Sequence, residues 1–312
     1  MIEFAARRLV EMLIVLFIVI SLVFFMVRLV PGDPFATDKN LPPQVMEHLK
    51  EKYDLNQPLR YQYLSYLQHF AQFDLGPCFK YKSVTVNDLI RDALPVSAFL
   101  GFSALTLAIF FGVTLGILAA VWRGSGWDYL ASGLAFLGIC IPNFVAGPLL
   151  VLVFAFWLGW LPVGTISGFS SLILPSATLA LPYMAYIARL TRAGLLENLP
   201  KDYVRTARAK GLPERVVVLK HALRNSIIPV VTYLGPAAAG IMTGSFVVET
   251  IFSIPGLGRH FVNSALNRDY NLILGTSAVY SAMLVLFNAV VDFSYGIIDP
   301  QIRIPRREGK AR

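Results

Sequence analysis

Residues 129–188 form a run of 60 positions without an Asp, Glu, Lys or Arg. A bilayer core is crossed by about 20 predominantly apolar residues as helix. In hydrocarbon, every backbone N–H and C=O must find its partner within the spanning structure. A run this long therefore predicts two helical crossings, with the turn in the Gly- and Ser-rich GWLPVGTISGFSS, residues 159–171. Four more crossings follow from the other uncharged runs. They lie at residues 12–27 (lengthened by Leu9, Val10, Leu29 and Val30), within 93–122, at 225–248 and at 270–291. Composition agrees, with 56% hydrophobic and 15% charged residues in a 312-residue chain. The fold class expected is an all-α polytopic membrane protein with six transmembrane helices.

The charges lie between the runs and give sidedness. Loop 189–226 carries 9 basic and 3 acidic residues, and the stretch from Asp299 onward carries 5 basic and 2 acidic. With Arg7 and Arg8 before the first span, the excess of Lys and Arg puts both termini and that loop on the cytoplasmic side. A net charge of +8 would suggest nucleic acid in a soluble protein, but here the basic residues follow membrane sidedness. No cleavable-leader pattern is present: the first apolar run is long and lacks an Ala-x-Ala-like site. The first span is expected to stay. The sequence divides into a first transmembrane helix (1–30), an outer amphipathic region (31–94), a five-helix core (95–300) and a basic tail (301–312).

The outer region carries 7 basic and 8 acidic residues and is rich in proline. After Pro58, the residues Leu59, Tyr63, Tyr66, Leu67 and Phe70 recur at helical spacing, which predicts an amphipathic helix lying on the membrane surface. Val86, Leu89, Ile90 and Leu94 repeat the pattern before the second span. Cys78 and Cys140 fall in different environments, so no disulfide is expected.

The most basic stretch is KDYVRTARAKGLPERVVVLKHALRNSIIP, residues 201–229. Asp202 is suited to cap a helix and Gly211-Leu212-Pro213 to stop it. At about 100° per residue, Tyr203, Val204, Ala207 and Gly211 share one face, and Arg205 and Arg208 turn away. A helix of about two turns is marginal alone and needs a partner surface. RTARAKG followed by HALRNSIIP resembles the cytoplasmic coupling loop of binding-protein-dependent ABC import permeases, with Arg205, Thr206, Ala207 and Gly211 in the places of that family's Glu-Ala-Ala…Gly motif. Arg205 in the acidic place and the later Pro229 are features of the family's dipeptide and oligopeptide branch. ETIFSIPGLG followed by NRDY, PGDPF at 31–35 and the final IDPQIR extend the similarity nearly end to end. The outer segment is most similar to B-type oligopeptide permeases.

The resemblance implies the type I ABC importer permease fold and a list of partners. These are a homologous second permease, two cytosolic ATPase subunits, an extracytoplasmic peptide-binding protein and the lipid bilayer. It implies that Tyr203, Val204, Arg205, Thr206, Ala207, Lys210 and Gly211 dock onto an ATPase, and that the site is the bacterial inner membrane. No cofactor is expected in this chain; ATP would be bound by the partner subunits, since no G-x-x-x-x-G-K-[ST] motif is present. The implied cargo is oligopeptides, with dipeptides or nickel as the alternatives in the same family.

Other classes fit the residues less well. Gly-x-Ser-x occurs at Gly101 and Gly168, but the four histidines (48, 69, 221 and 260) all lie in loops, where none can serve an intramembrane serine as base. An ion-coupled secondary transporter would show inverted repeats and intramembrane acids. Only Asp292 lies deep in a span; with Asn288 and Tyr295 it shares one helix face, which gives either a polar seam along a pathway or an inter-helix hydrogen bond. Glu249, at the outer end of the fifth span, is expected close to water.

Overall fold

The computed structural model describes residues 2–30, 43–81, 83–163, 168–243 and 246–298; for 2–8, 43, 49, 243 and 291–298 it describes the backbone alone. The motifs PGDPF and IDPQIR and the basic tail lie outside the described residues or at their edge. Among the described residues the chain is helical, with one isolated antiparallel bridge between Pro77 and Thr85. Among the described residues, four helical stretches suffice to cross a bilayer alone: Leu9–Leu29, Val86–Val121, Phe169–Asn198 and Tyr270–Val290. Two further crossings are broken. Gly126–Cys140 and Asn143–Trp157 meet at a bend of 116°, and Glu214–Ser226 and Ile228–Met242 at 59°. Counting each bent pair as one span gives the six expected.

Local chemistry explains the sharper break. Pro142 forces Ile141 out of the helical region (φ −88°, ψ 115°), then serves as the residue preceding the next helix. That helix passes Pro148 and loosens into a π-turn at Val151–Trp157, since a proline has no N–H to offer the ladder.

The chain divides into two units, the first comprising Met1–Ala98 with Ile254–Met283 and the second Phe99–Ser253 with Leu284–Arg312. The first contains α1 (Ile2–Leu29), α2 (Pro43–Lys52), α3 (Leu59–Ala71), the start of α4 (Val86–Val121), α13 (Leu257–Asn267) and the start of α14 (Tyr270–Ile298). α3 is the amphipathic helix read from the sequence, but its aromatic face does not lie on the membrane surface. Tyr66, with Tyr63, Leu67 and Phe70, packs on Ile20 and Phe24 of α1 and on Leu274 and Ala278 of α14. Phe24 is fully buried, with ring centroids 5.1 Å from Tyr63 and 5.8 Å from Tyr66. Periodicity reports which face is apolar, not what covers it. The polar tip of Tyr63 is satisfied within the protein, 2.6 Å from Ser21 Oγ.

The pattern Val86, Leu89, Ile90, Leu94 forms the first turns of α4, which runs past Pro95 without a break. Reciprocal capping fixes its start: Thr85 N–H donates to Asp88 Oδ2 (3.1 Å) and Asp88 N–H to Thr85 Oγ1 (3.2 Å). Val86, Ile90 and Ala93 then form a core with Cys78, Leu257 and Leu272. Asp269 holds the adjoining corner. It is buried, and accepts the backbone N–H groups of Phe79 (2.9 Å), Lys80 (3.2 Å) and Leu272 (3.2 Å). The loop around Phe79 and Lys80 is thereby tied to the start of α14. Burial pushes the Asp269 carboxyl up, and the three N–H donors pull it back.

Cys78 is free and 3% exposed, and burial, followed by the neighbouring Asp269, pushes its thiol up to about 12. The thiolate is the reactive form, so Cys78 should label slowly with maleimide at pH 8 and quickly once the protein is denatured. Labelling of Cys78 in the folded protein at the rate of a free thiol would contradict the core described here.

Candidate functional site

In the second unit, α5 (Gly126–Cys140), α6 (Asn143–Leu150) and α11 (Ile228–Thr243) gather on α7 (Ile173–Asn198). Its neighbours approach at glycines. A Cβ on Gly116 of α4 would lie 2.6 Å from Ala188 O, one on Gly138 of α5 3.0 Å from Leu181 O, and one on Gly240 of α11 2.5 Å from Tyr183 Oη. In lipid, such backbone proximity is the main source of helix association. Ala237, Ala238 and Ala239 of α11, small residues beside Gly240, are buried as well.

The basic loop leaves the end of α7. Lys201 is extended (φ −69°, ψ 152°) and precedes α8, Asp202–Ala209. Asp202 therefore occupies the first helical turn instead of capping, where a negative charge still favours the positive end of the helix dipole. Gly211 follows with φ +74°, the left-handed stop that glycine adopts without strain. Arg208 then reaches across this turn to Glu214, with Nη2–Oε1 at 2.7 Å and Nε–Oε2 at 3.1 Å. Both side chains are about half exposed, so the pair contributes only about 0.5 kcal/mol, but it fixes the turn's shape.

The seven predicted docking residues divide into two faces. Val204 (0% exposed) and Ala207 (4%) are buried against Leu195 of α7, Ala120 of α4, and Val217 and Ala222 of the helical segment after the turn. Tyr203 is half-buried, and its hydroxyl donates to Asn198 Oδ1 at 2.9 Å. Arg205, Thr206, Lys210 and Gly211 are exposed. The partner surface that the apolar stripe demanded is supplied by the chain itself, so Val204 and Ala207 are withdrawn from the docking face. Exposure was not legible from spacing, because an apolar stripe looks the same whichever protein covers it.

Seating is tight. A Cβ on Gly194 would fall 2.5 Å from Ser226 O, so α7 touches the backbone of α10 (Leu223–Ser226). Asn198, buried at the end of α7, donates to Gly194 O at 2.9 Å while receiving the Tyr203 hydroxyl. An open cleft beside it is lined by Glu197, Lys201, Tyr203 and Asn225. Force applied to the exposed face of α8 therefore acts on α7 and α10 together.

One ion pair at this end was missed in the sequence. Asp128, 5% exposed at the start of α5, receives Arg192 of α7 in a bidentate pair, Nε–Oδ1 2.8 Å and Nη2–Oδ2 2.9 Å. Gly124 N–H (3.0 Å) and Ser132 Oγ (3.2 Å) complete the carboxylate's partners. Its signal was an acid bordering the 60-residue uncharged run, with arginines at the run's other border.

The remaining candidates lie elsewhere. Asn288 is exposed on α14, while the side chains of Asp292 and Tyr295 lie outside those described. Glu249, expected near water, is instead fully buried in α12 (Phe246–Ile251). That helix packs on α6, where Gly147 faces Phe252 and Ile251, and this removes Glu249 from solvent.

The family model described as binding-protein-dependent transport system inner membrane component matches residues 112–304, which include α5, α7, α8 and the Gly211 turn. The chain belongs to this family. An N-terminal companion model of the same transport-system membrane components matches residues 1–101. Among relatives of this inner membrane component, the oligopeptide transport system permease protein OppB of Haemophilus influenzae is 49% identical over 97% of this chain and 100% of its own. OppB of Escherichia coli K12 is 50% identical over the same shares. The dipeptide transport system permease protein DppB of Bacillus subtilis is 42% identical over 98% of this chain and all of its own. Two solved structures share the fold. An amino acid ABC transporter matches with TM-score 0.52, 18% identity, 67% of this chain and 93% of its own. An inward-facing MetNI methionine ABC transporter gives 0.54, 15%, 68% and 96%. The architecture is thus the type I ABC importer permease fold, in a multi-pass inner-membrane protein.

Removing one partner of the Asp128–Arg192 pair strands a charge. Asp128→Ala and Arg192→Ala should each cost about 2–3 kcal/mol, the buried-pair figure discounted because the Arg192 side chain is 33% exposed. The double variant should lose much less than the sum, since it leaves no orphan charge. Thermal unfolding in detergent measures this, and strictly additive losses would refute the pairing.

Proposed function

We propose that this chain is the transmembrane permease subunit of a binding-protein-dependent ABC importer of oligopeptides. The observation that carries the cargo is 49–50% identity, over 97% of the chain, to permeases named for oligopeptide transport. The 42% identity to a dipeptide permease favours dipeptides as the second reading. Peptides vary in side chain, so a carrier for them is suited by small and apolar lining without fixed charged anchors, with selection left to a separate binding protein. The uncharged spans of this sequence fit that demand.

The exposed face of α8, with Arg205, Thr206, Lys210 and Gly211, docks onto a cytosolic ATPase subunit. A second permease of the same family completes the translocation path, two ATPases drive it, and an extracytoplasmic peptide-binding protein delivers the cargo. ATP is bound by the ATPase subunits. Both termini and loop 189–226 are cytoplasmic, which the 9 to 3 excess of basic over acidic residues in that loop supports. Closure of the ATPase pair presses on α8. Because Val204 and Ala207 key it to α7 and the segment leading to α11, those helices move with it and the path alternates its opening. The docking face must favour one ATPase state over the other, since a ligand shifts an equilibrium only by its differential affinity.

Deletion of the gene should abolish uptake of labelled tri- to pentapeptides, and complementation should restore it. Peptide uptake unchanged by the deletion would overturn the cargo. Gly211→Val should leave the protein inserted but uncouple ATP hydrolysis from uptake. Gly211→Asn separates the causes: asparagine tolerates positive φ, and an added Cβ meets nothing within 4 Å in this chain. Loss of coupling with both variants points to a partner packed on Gly211; rescue by Asn assigns the loss to backbone strain. Retained coupling in both sinks the docking proposal. For sidedness, a cytoplasm-active reporter should work when fused near Lys201 and fail near Lys50.

A further inference from the structure

In the first unit, α1 ends beside an open cavity of about 220 Å³, lined by Arg28, Lys52, Asp54, Gln62, Tyr66 and Asp74 among others. Its inner wall is built around Arg28. The guanidinium lies over the Phe24 ring, 3.8 Å from the centroid, and Nε donates to Gln62 Oε1 at 2.8 Å. Gln62 cannot turn, because its Nε2 donates to Leu55 O (3.1 Å) and Gln57 O (2.8 Å). Stacking and this clamp fix the plane of the guanidinium and occupy one edge. Nη1, on the other edge, is buried and has no partner among the described residues.

The Tyr66 hydroxyl is also buried without a partner among the described residues, on a residue that is 9% exposed. Burial pushes this phenol up, so it stays protonated and donates. Both residues line the cavity, and two buried donors without a partner among the described residues are costly to leave, at about 1–3 kcal/mol each. They define an acceptor with at least two oxygens and negative charge. Lys52 adds a cation at the rim, and the exposed Asp54 and Asp74 add two carboxylates. That rim suits a ligand carrying an ammonium a few atoms from its anion.

We propose that the cavity binds the headgroup of an ethanolamine phospholipid, its phosphodiester on Arg28 and Tyr66 and its ammonium toward Asp54 and Asp74. Position selects a lipid over a soluble zwitterion. Arg28 is the penultimate residue of the apolar stretch Leu9–Leu29, where a guanidinium meets the headgroup layer. The face of α1 that carries Arg28 exposes Leu13 (58%) and Phe17 (53%) nearer the helix start, apolar side chains along which acyl chains can lie while the headgroup occupies the cavity.

The test is native mass spectrometry and thermal unfolding of the full-length, delipidated protein in detergent. Phosphatidylethanolamine, phosphatidylglycerol and chain-free glycerophosphoethanolamine are added separately. Wild type should retain phosphatidylethanolamine in preference to phosphatidylglycerol and gain thermal stability with it. Arg28→Gln should weaken retention about tenfold, the loss of one charge-assisted hydrogen bond. Tyr66→Phe guards against misfolding as the explanation. It removes only an unpartnered hydroxyl, so the lipid-free protein should be as stable as wild type, yet its gain on lipid addition should be smaller. Equal retention by both variants and wild type would show that water alone fills the cavity and would overturn the proposal. Glycerophosphoethanolamine binding as tightly as the lipid would make the ligand soluble, and equal retention of phosphatidylglycerol would remove the ammonium assignment; either result overturns the proposal as stated.

Discussion

Helices immersed in lipid gain little from burying apolar side chains in one another, because acyl chains are as apolar as leucine. What remains is close contact, and in the second unit close contact converges on α7. Gly112 and Gly116 of α4, Gly138 of α5 and Gly240 of α11 each place backbone where a side chain would collide with α7, while Gly194 of α7 itself makes room for the carbonyl of Ser226. α7 cannot shift alone against surfaces so closely fitted, since packed interiors resist continuous deformation. Its end continues through Leu199 and Pro200 into α8, so the loop and the spanning helix behave as one piece. The Asp128–Arg192 pair joins α5 to the same end of α7.

This constraint explains which parts of the chain were legible in advance. Charge-free runs report the crossings because the bilayer is a uniform solvent with one length scale. Helical periodicity located α3 and α8 nearly to the residue. What periodicity could not report is the identity of the surface opposite each apolar stripe. In α3 that surface is α1 and α14 instead of the membrane surface, and in α8 it is α7 and the segment beyond Gly211 instead of a partner subunit. Both are contacts between residues far apart in sequence, set by the tertiary path. Glu249 illustrates the same limit: its place at the edge of an apolar run suggested water, but it is fully buried in α12, which packs on α6. Motifs were more informative than patterns where they encode backbone geometry. Gly211 was read as a helix stop, and its φ of +74° is the conformation such a stop requires.

The two faces of α8 carry different demands, and this has a consequence for its sequence. The inner face must fit a fixed cavity among Leu195, Val217 and Ala222, so Val204 and Ala207 are limited in volume. The outer face carries Arg205, Thr206 and Lys210 in solvent, where charge is free to change without disturbing the fold. Arg205 makes only a loose 3.9 Å contact with Asp202, both side chains being largely exposed. A surface charge held this weakly adds almost nothing to stability. An arginine in the place where the wider family motif has an acid is therefore structurally neutral for this chain. In the docking role proposed above, its sign would bear on partner choice more than on affinity. Stability resides on one side of the helix, which leaves the other side free to vary while the loop keeps its mechanical link to α7.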